Sequence, residues 1–385
     1  MVESLATTIA KTLHALANVS MRVLLVYDHL DTGGAQTHGL ALAQELLKVG
    51  HTLFIVSRGG DMESRFAQRG VTALRWPAPP RAHPFKLARS FFRARQILHD
   101  LRPDVIHAHA VLPGVIFSVA ARSRSGGRPP IVMTPHRSWD SLYRPVASRS
   151  FYQLLRFAAD DIIAISAGFY QELTQHDIPP ARCHLIHNGI DVNAYDAPAN
   201  NPTPQVVGTI GRLIEQKGLD VFIAAAAQVA EQRSDVEFQI AGEGPLRATL
   251  EMQIAALSLA DRIHLLGNRS DVPDLLKQFS VFVSSSRWEG MPYALLEALA
   301  ARRPAVATRV LGSEDLIQDG ITGLLVPPAD PTALSQAIGK LLDDRVLAHR
   351  LAEAGRNLVE REYNQSTMAA HIMQLYQQAS ARQAT

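Results

Sequence analysis

The chain predicts an α/β protein built from two doubly wound parallel-sheet domains, and three observations carry that expectation. Apolar, β-branched runs alternate with helix-length segments through both halves of the sequence. A stretch dense in Pro, Asn and Ala, residues 196–204, interrupts the alternation as a linker would. At 385 residues the chain is long for one core and comfortable for two. The expected divisions are an accessory leader over 1–20, a first domain over 21–195, the linker 196–204, a second domain over 205–360 and a closing helix over 361–385.

Composition narrows the class. An apolar fraction of 47% and a charged fraction of 19% describe a soluble globular chain. The single Cys183 excludes an intramolecular disulfide framework and a cysteine-rich zinc site, so a reducing cytoplasm is the expected compartment. No apolar run reaches the roughly 18 residues that read as a membrane span. Residues 1–200 carry 21 Lys+Arg against 15 Asp+Glu, and residues 201–385 carry 17 against 21, so a basic half precedes an acidic one. That asymmetry fits a first half that meets an anionic surface or substrate, and fits equally a drift in surface charge.

In the leader, Leu5, Ile9, Leu13 and Leu16 fall at helical spacing, while Glu3 argues against a secretory signal. The first buried strand is Val23–Tyr27. Gly33-Gly34 opens the following helix and would permit positive φ and a close backbone approach to a ligand. Strands at Thr52–Val56 and Val71–Leu74 bracket a helix near Met62–Arg69. Between Arg75 and Gln96 the cations Arg75, Arg81, Lys86, Arg89, Arg93 and Arg95 interleave with Trp76, Phe85, Phe91 and Phe92. Such a segment either docks on an anionic membrane surface or turns a Phe face into the core. A second basic-aromatic segment runs from Arg137 to Arg156, with Trp139, Tyr143, Arg144, Arg149, Phe151 and Tyr152.

Asp104–His109 and Ile131–His136 are strands that end in histidines. A strand delivers its last residues to the sheet's C-terminal edge, where ligands of doubly wound sheets bind, so one of His107 and His109 and, more weakly, His136 with Arg137 are site candidates. His107 and His109 at i, i+2 are expected too far apart on a strand for a metal, and no carboxylate or cysteine cluster accompanies them.

The second half restarts the rhythm with Val206–Leu213. Arg212 and Lys217 follow at the start of the next helix, where a forked donor pair and a mobile point charge suit a diphosphate. Val236–Ala241 leads to Gly242-Glu-Gly244-Pro, a GxG turn with Arg247 where a dinucleotide fingerprint has its third glycine, which counts against an NAD-dependent dehydrogenase. Ile263–Gly267 runs into Asn268. The apolar run Val281–Val283 precedes Glu289-Gly290-Met291-Pro292 and a helix, Tyr293-Ala294-Leu295-Leu296-Glu297 to Ala300, stopped before Pro304. Free N–H groups at that helix start make an anion site, best suited to phosphate. Glu289 and Glu297 face one ligand along the helix, and as carboxylates they address hydroxyls: a sugar ring at one end, a ribose at the other. The terminal segment Arg345–Gln378 is helical, with a break at Tyr363-Asn364.

Glu289-x7-Glu297 with Gly290, Pro292, Ala298 and Arg303-Pro304, together with Gly211-Arg212-Leu-x3-Lys217-Gly-Leu-Asp, resembles glycosyltransferase family 4 from residue 22 onward. The resemblance implies a GT-B fold, two Rossmann-like domains facing an interdomain cleft, with the last helix crossing back to the first domain. It implies a retaining, metal-independent transferase moving a sugar from a nucleotide diphosphate donor to a hydroxyl acceptor, a saccharide or a lipid-linked precursor of surface polysaccharide or lipopolysaccharide. No cofactor, metal or nucleic acid is expected, and the cell location is cytoplasmic with an anionic membrane face as a second reading. In this family reading Arg212, Lys217, Glu289 and His109 are catalytic, with His109 lining the donor-sugar pocket and His107 structural. Gly34, Gly211, Gly242, Gly244, Asn268, Gly290, Met291, Pro292, Tyr293, Ala294, Leu295 and Glu297 bind the donor, Asn268 through a backbone-read base loop. No Asp-x-Asp metal chelator occurs, so cationic side chains take the diphosphate charge. A nucleotide-sugar epimerase of the same fold and a non-catalytic sugar-nucleotide-binding module are the rival readings.

Overall fold

The computed structural model describes residues 20–77, 84–124, 127–136, 145–196 and 205–384. The leader (residues 1–19), Arg81, Arg137, Trp139, Tyr143, Arg144 and linker residues 197–204 lie outside the described residues. The chain divides into two units: one runs to Gly189 and resumes at Gln365, the other is Ile190–Asn364.

The first unit contains β1 (Arg22–Val26), α1 (Gly34–Lys48), β2 (Thr52–Ser57), α2 (Glu63–Ala67), β3 (Thr72–Arg75), α3 (Pro84–Leu101), β4 (Val105–Ala108) and α4 (Val111–Arg122). It continues with β5 (Ile131–Met133), α5 (Pro145–Ala158), β6 (Asp161–Ala164), α6 (Ala167–Gln175) and β7 (Cys183–Leu185). Its sheet has the order β3-β2-β1-β4-β5-β6-β7, every pair parallel. Period-two side-chain alternation explains why β1 is apolar from Val23 to Val26: Leu24 and Val26 join one core with Ile106 and Met133, while Val23 and Leu25 join another with Leu42 and Leu46.

The second unit contains β8 (Gln205–Ile210), α7 (Leu219–Gln232), β9 (Val236–Ala241), α8 (Arg247–Ala256), β10 (Ile263–Gly267), α9 (Val272–Gln278) and β11 (Val281–Ser284). It ends with α10 (Tyr293–Ala300), β12 (Ala305–Thr308), α11 (Ser313–Leu316), β13 (Leu324–Val326), α12 (Pro331–Asp343) and α13 (Arg345–Glu362). The sheet order β10-β9-β8-β11-β12-β13 repeats the winding of the first, again all parallel. Arg303, part of the motif that resembles family 4, is a packing residue: it is 1% exposed and donates to the carbonyls of Ala301 and Phe279.

The last helix, α14 (Gln365–Ala384), belongs to the first unit. It starts on α1, where the buried Glu45 carboxylate accepts from Gln365 Nε2 at 2.9 Å and from Ser366 Oγ at 3.0 Å. Met368, Ile372 and Tyr376 then enter the core that β1 shares with α1. In each sheet the winding reverses once, between β1 and β4 and between β8 and β11. Loops leaving the C-terminal ends of those strands surround the crevice in which such sheets bind ligands.

Candidate active site

In the second unit the loops after β8 and β11 flank the switch point and are stitched together. Gly218 sits at φ +57, and a Cβ there would lie 2.2 Å from the Ser285 carbonyl oxygen, so only glycine lets the loops meet. Ser285 Oγ donates to the Lys217 carbonyl at 2.9 Å, and Arg287 N donates to Gln216 O at 2.8 Å. This places Lys217 Nζ 2.5 Å from Glu289 Oε1. The same carboxylate accepts from Ser286 Oγ at 2.7 Å and from Gln216 Nε2 at 3.3 Å. The Glu289 side chain is 6% exposed, so it is an enclosed acceptor whose charge Lys217 balances.

Beyond Glu289, Gly290 and the buried Met291 lead to Pro292, which is the N-cap of α10 and not a residue of its first turn. The first-turn N–H groups of Tyr293, Ala294 and Leu295 have no acceptor within the helix, and the N-cap Pro292 offers them no side-chain hydrogen bond. One turn on, Glu297 Oε1 accepts a 2.8 Å hydrogen bond from Tyr195 Oη. Burial pushes the Glu297 carboxyl up to about 7, with the Tyr195 bond acting in the opposite direction. Tyr293 Oη is buried nearby without a hydrogen-bond partner among the described residues. Tyr195 lies in a 3₁₀ turn, Val192–Tyr195. Sequence reasoning placed that tyrosine at the end of the first domain and missed it as the partner of Glu297; it lies in the second unit.

The strand ends of β8, β9 and β10 meet through backbone. Gly242 has φ +144, and a Cβ there would lie 1.9 Å from the Gly211 carbonyl oxygen. Gly211 N donates to Ala241 O at 2.9 Å, Gly242 N to Gly267 O at 2.8 Å, and Leu213 N to Glu243 O at 2.9 Å. Arg212 and the Gly242–Gly244 turn therefore share one loop cluster, with Arg212 exposed and Asn268 exposed just past β10. Arg247, in the place of a third fingerprint glycine, pairs with Glu243 and Glu251.

The switch point of the first unit collects histidines. His107 is fully buried and spends both ring nitrogens, Nδ1 2.6 Å from Tyr376 Oη and Nε2 2.7 Å from Thr134 Oγ1. His109, past the end of β4, stacks on Tyr27 with ring centroids 4.5 Å apart, and its Nδ1 lies 3.2 Å from His136 Nε2. The centroids of His107 and His109 are only 4.2 Å apart, which corrects the expectation that residues two apart would separate widely here. His38 of α1 joins the group, 5.3 Å from His109 and 4.9 Å from His136 between ring centroids. Burial, and repulsion by the neighbouring rings, hold His107, His109 and His136 well below the ordinary histidine range; burial brings His38 down to about 4. His38 carried no sequence signal, being one polar residue in an ordinary helix start.

Near this group Gly33 is extended, at φ −177, and Gly34 is the first residue of α1, so neither uses the positive φ expected of the pair. The basic-aromatic stretch divides. Trp76 is core, donating Nε1–H to Ser90 O at 3.0 Å, and Phe91 packs against the core, whereas Phe85 and Phe92 are 83% and 66% exposed. Arg58, Arg75, Arg89, Arg93, Trp76 and Phe92 line a surface concavity of about 630 Å³.

Two units of like winding, each with its polar side chains at its own switch point, form the GT-B architecture of glycosyltransferases. Anabaena HepE in complex with UDP-glucose has this fold, with a TM-score of 0.82 and 22% identity, covering 93% of this chain and 100% of that one. Residues 32–194 match the family described as Glycosyltransferase Family 4 and residues 194–358 the family described as Glycosyl transferases group 1, and together these matches support a family 4 GT-B glycosyltransferase. Among its relatives, the UDP-Gal:alpha-D-GlcNAc-diphosphoundecaprenol alpha-1,3-galactosyltransferase of Escherichia coli is 28% identical over 75% of this chain and 79% of that protein. The alpha-D-kanosaminyltransferase of Streptomyces kanamyceticus is 35% identical over 45% of each chain. Among the described residues no helix is long and apolar enough to cross a membrane.

Proposed function

We propose that the chain is a retaining, metal-independent transferase that uses a nucleoside diphosphate sugar, with the donor held at the switch point of the second unit. The observation that carries this is the 2.5 Å contact between Lys217 Nζ and Glu289 Oε1, beside the uncapped start of α10. A donor diphosphate competes with Glu289 for the ammonium, and the freed carboxylate then accepts hydrogen bonds from the sugar hydroxyls. Arg212 adds a second cation, and the first-turn N–H groups of α10 add uncharged donors. Glu297 serves the ribose hydroxyls, with Tyr195 fixing its direction. The HepE complex with UDP-glucose and the UDP-galactose-named relative favour a UDP-sugar.

In the reaction the acceptor hydroxyl oxygen bonds to the anomeric carbon as the bond from that carbon to the phosphate oxygen breaks. The acceptor proton passes to the departing phosphate on the same face, so no enzymic base is needed. Lys217 and Arg212 stabilise the charge that grows on the diphosphate, the group that gains most between ground and transition state. The family resemblance gives His109 the sugar of the donor and His136 the acceptor side.

For the acceptor we favour a lipid-linked saccharide of surface polysaccharide assembly. Supporting this are the exposed Phe85 and Phe92 on α3 among Lys86, Arg89 and Arg93, and the diphosphoundecaprenol acceptor named for the Escherichia coli relative. The transferase reading is tested by turnover with a panel of nucleotide diphosphate sugars and lipid-linked acceptors. Donor consumption that needs no acceptor would point to an epimerase. A Glu289→Gln chain that still performs its cellular role would point to a binding module.

A further inference from the structure

Three histidines of the first unit stand together, and two of them, His38 and His109, carry buried ring nitrogens short of partners among the described residues. Nε2 of His109 is buried without a hydrogen-bond partner among the described residues, the buried ring of His38 has the Asn188 side chain as its hydrogen-bonding neighbour, and His136 Nε2 pairs with His109 Nδ1. One nitrogen from each of His38, His109 and His136 lies within 4.8 Å of the others. Leaving a buried polar nitrogen unsatisfied costs about 1–3 kcal/mol, so the arrangement favours an electron-pair acceptor between the rings. Zinc binds imidazole nitrogen at about 2.0–2.1 Å in a tetrahedron, which sets neighbouring ligand atoms about 3.4 Å apart. The 3.2 Å from His109 Nδ1 to His136 Nε2 shows that these rings already approach at that scale. His107 makes the contrast: with the Tyr376 and Thr134 hydroxyls on its two nitrogens, it has nothing left to offer.

We infer that His38, His109 and His136 form a binding site for a divalent late transition ion of the zinc class. An all-imidazole set excludes magnesium and calcium as preferred occupants, since those ions select oxygen ligands. Three ligands leave a fourth position for water or an anion. The site goes beyond the proposed reaction. Because it takes up the His109 ring, the ion is a competitor of sugar transfer and not its cofactor.

Chelator-treated, tag-free full-length chain titrated with cobalt(II) chloride should develop the visible absorption of tetrahedral cobalt, with one ion per chain, displaced by zinc chloride. His136→Ala, at a partly exposed ring, should weaken cobalt binding at least about tenfold while keeping the native thermal transition, and His38→Ala should abolish the spectrum. His99→Ala, at an exposed histidine, should leave it unchanged. Absence of the spectrum, or a spectrum that survives both His136→Ala and His38→Ala, overturns the site. The spectrum needs no donor sugar, so failure of the transferase reading would leave it standing. A zinc-loaded chain that transfers sugar faster than the chelated chain contradicts the competitor role.

Discussion

Tyr195 Oη donates to Glu297 Oε1 at 2.8 Å and is the bond that holds a costly carboxylate in place. The carboxyl sits at about 7, raised chiefly by burial, so the folded chain binds a proton there that the unfolded chain has lost above pH 4.5. Stability of the second unit therefore rises as pH falls from about 7 towards 4.5. Glu297→Gln should stabilise the chain at alkaline pH by on the order of 1–3 kcal/mol, the upper figure set by the size of the shift and the lower by the residue's partial exposure. The gain should fade as pH falls from about 7 towards 4.5 and be gone below that, and donor affinity should fall because the ribose partner is neutral. Urea melts of both chains across that range check it; an equal difference at every pH contradicts it.

The first unit responds to acid in the opposite sense. His38, His107, His109 and His136 have lowered folded pKa values, so the unfolded chain takes up protons below 6.5 that the folded chain refuses. Each such histidine removes about 1.4 kcal/mol per pH unit, and for His38 the loss runs from 6.5 down to about 4. Unfolding of chelator-treated chain, followed by a probe in each unit, should show the first unit losing stability on acidification while Glu297 favours the second. Parallel behaviour of the two units would refute this.

Removing the Tyr376 hydroxyl should loosen the last helix. Tyr376→Phe leaves His107 Nδ1 buried and unpaired, at a cost of about 1–3 kcal/mol. Faster proteolysis between α13 and α14 would report it. An unchanged cleavage rate would mean that Gln365 and Ser366 on Glu45 suffice to dock the helix.

Exchange of both Phe85 and Phe92 for Ser should reduce flotation with anionic liposomes at low salt, since both rings are exposed on a basic helix. Unexchanged chain that fails to float removes the membrane reading outright.

Much of the architecture was legible because burial on both faces of a parallel sheet forces unbroken apolar strands such as Val281–Val283, and Pro304 and Gly218 punctuate what lies between. Lys217 and Glu289 were legible as candidates, but their mutual contact was not, because it depends on the Gly218 approach to Ser285. Three-element convergence escaped in the same way. His38, His109 and His136 come from α1, the end of β4 and the loop after β5, and each alone is an ordinary histidine. The i, i+2 pair that did stand out, His107 and His109, splits into one residue locked by hydroxyls and one available.

The account rests on Lys217 exchanging Glu289 for a donor diphosphate. Calorimetric titration of the full chain with UDP-sugars, repeated on Lys217→Ala, tests it most directly. The expected result is saturable binding of at least one UDP-sugar, weakened at least about tenfold in Lys217→Ala, as loss of a charge-assisted contact of about 1.5–3 kcal/mol requires, with the native thermal transition retained. Equal binding by both chains, or none by the unchanged chain to any nucleotide diphosphate sugar, would contradict it.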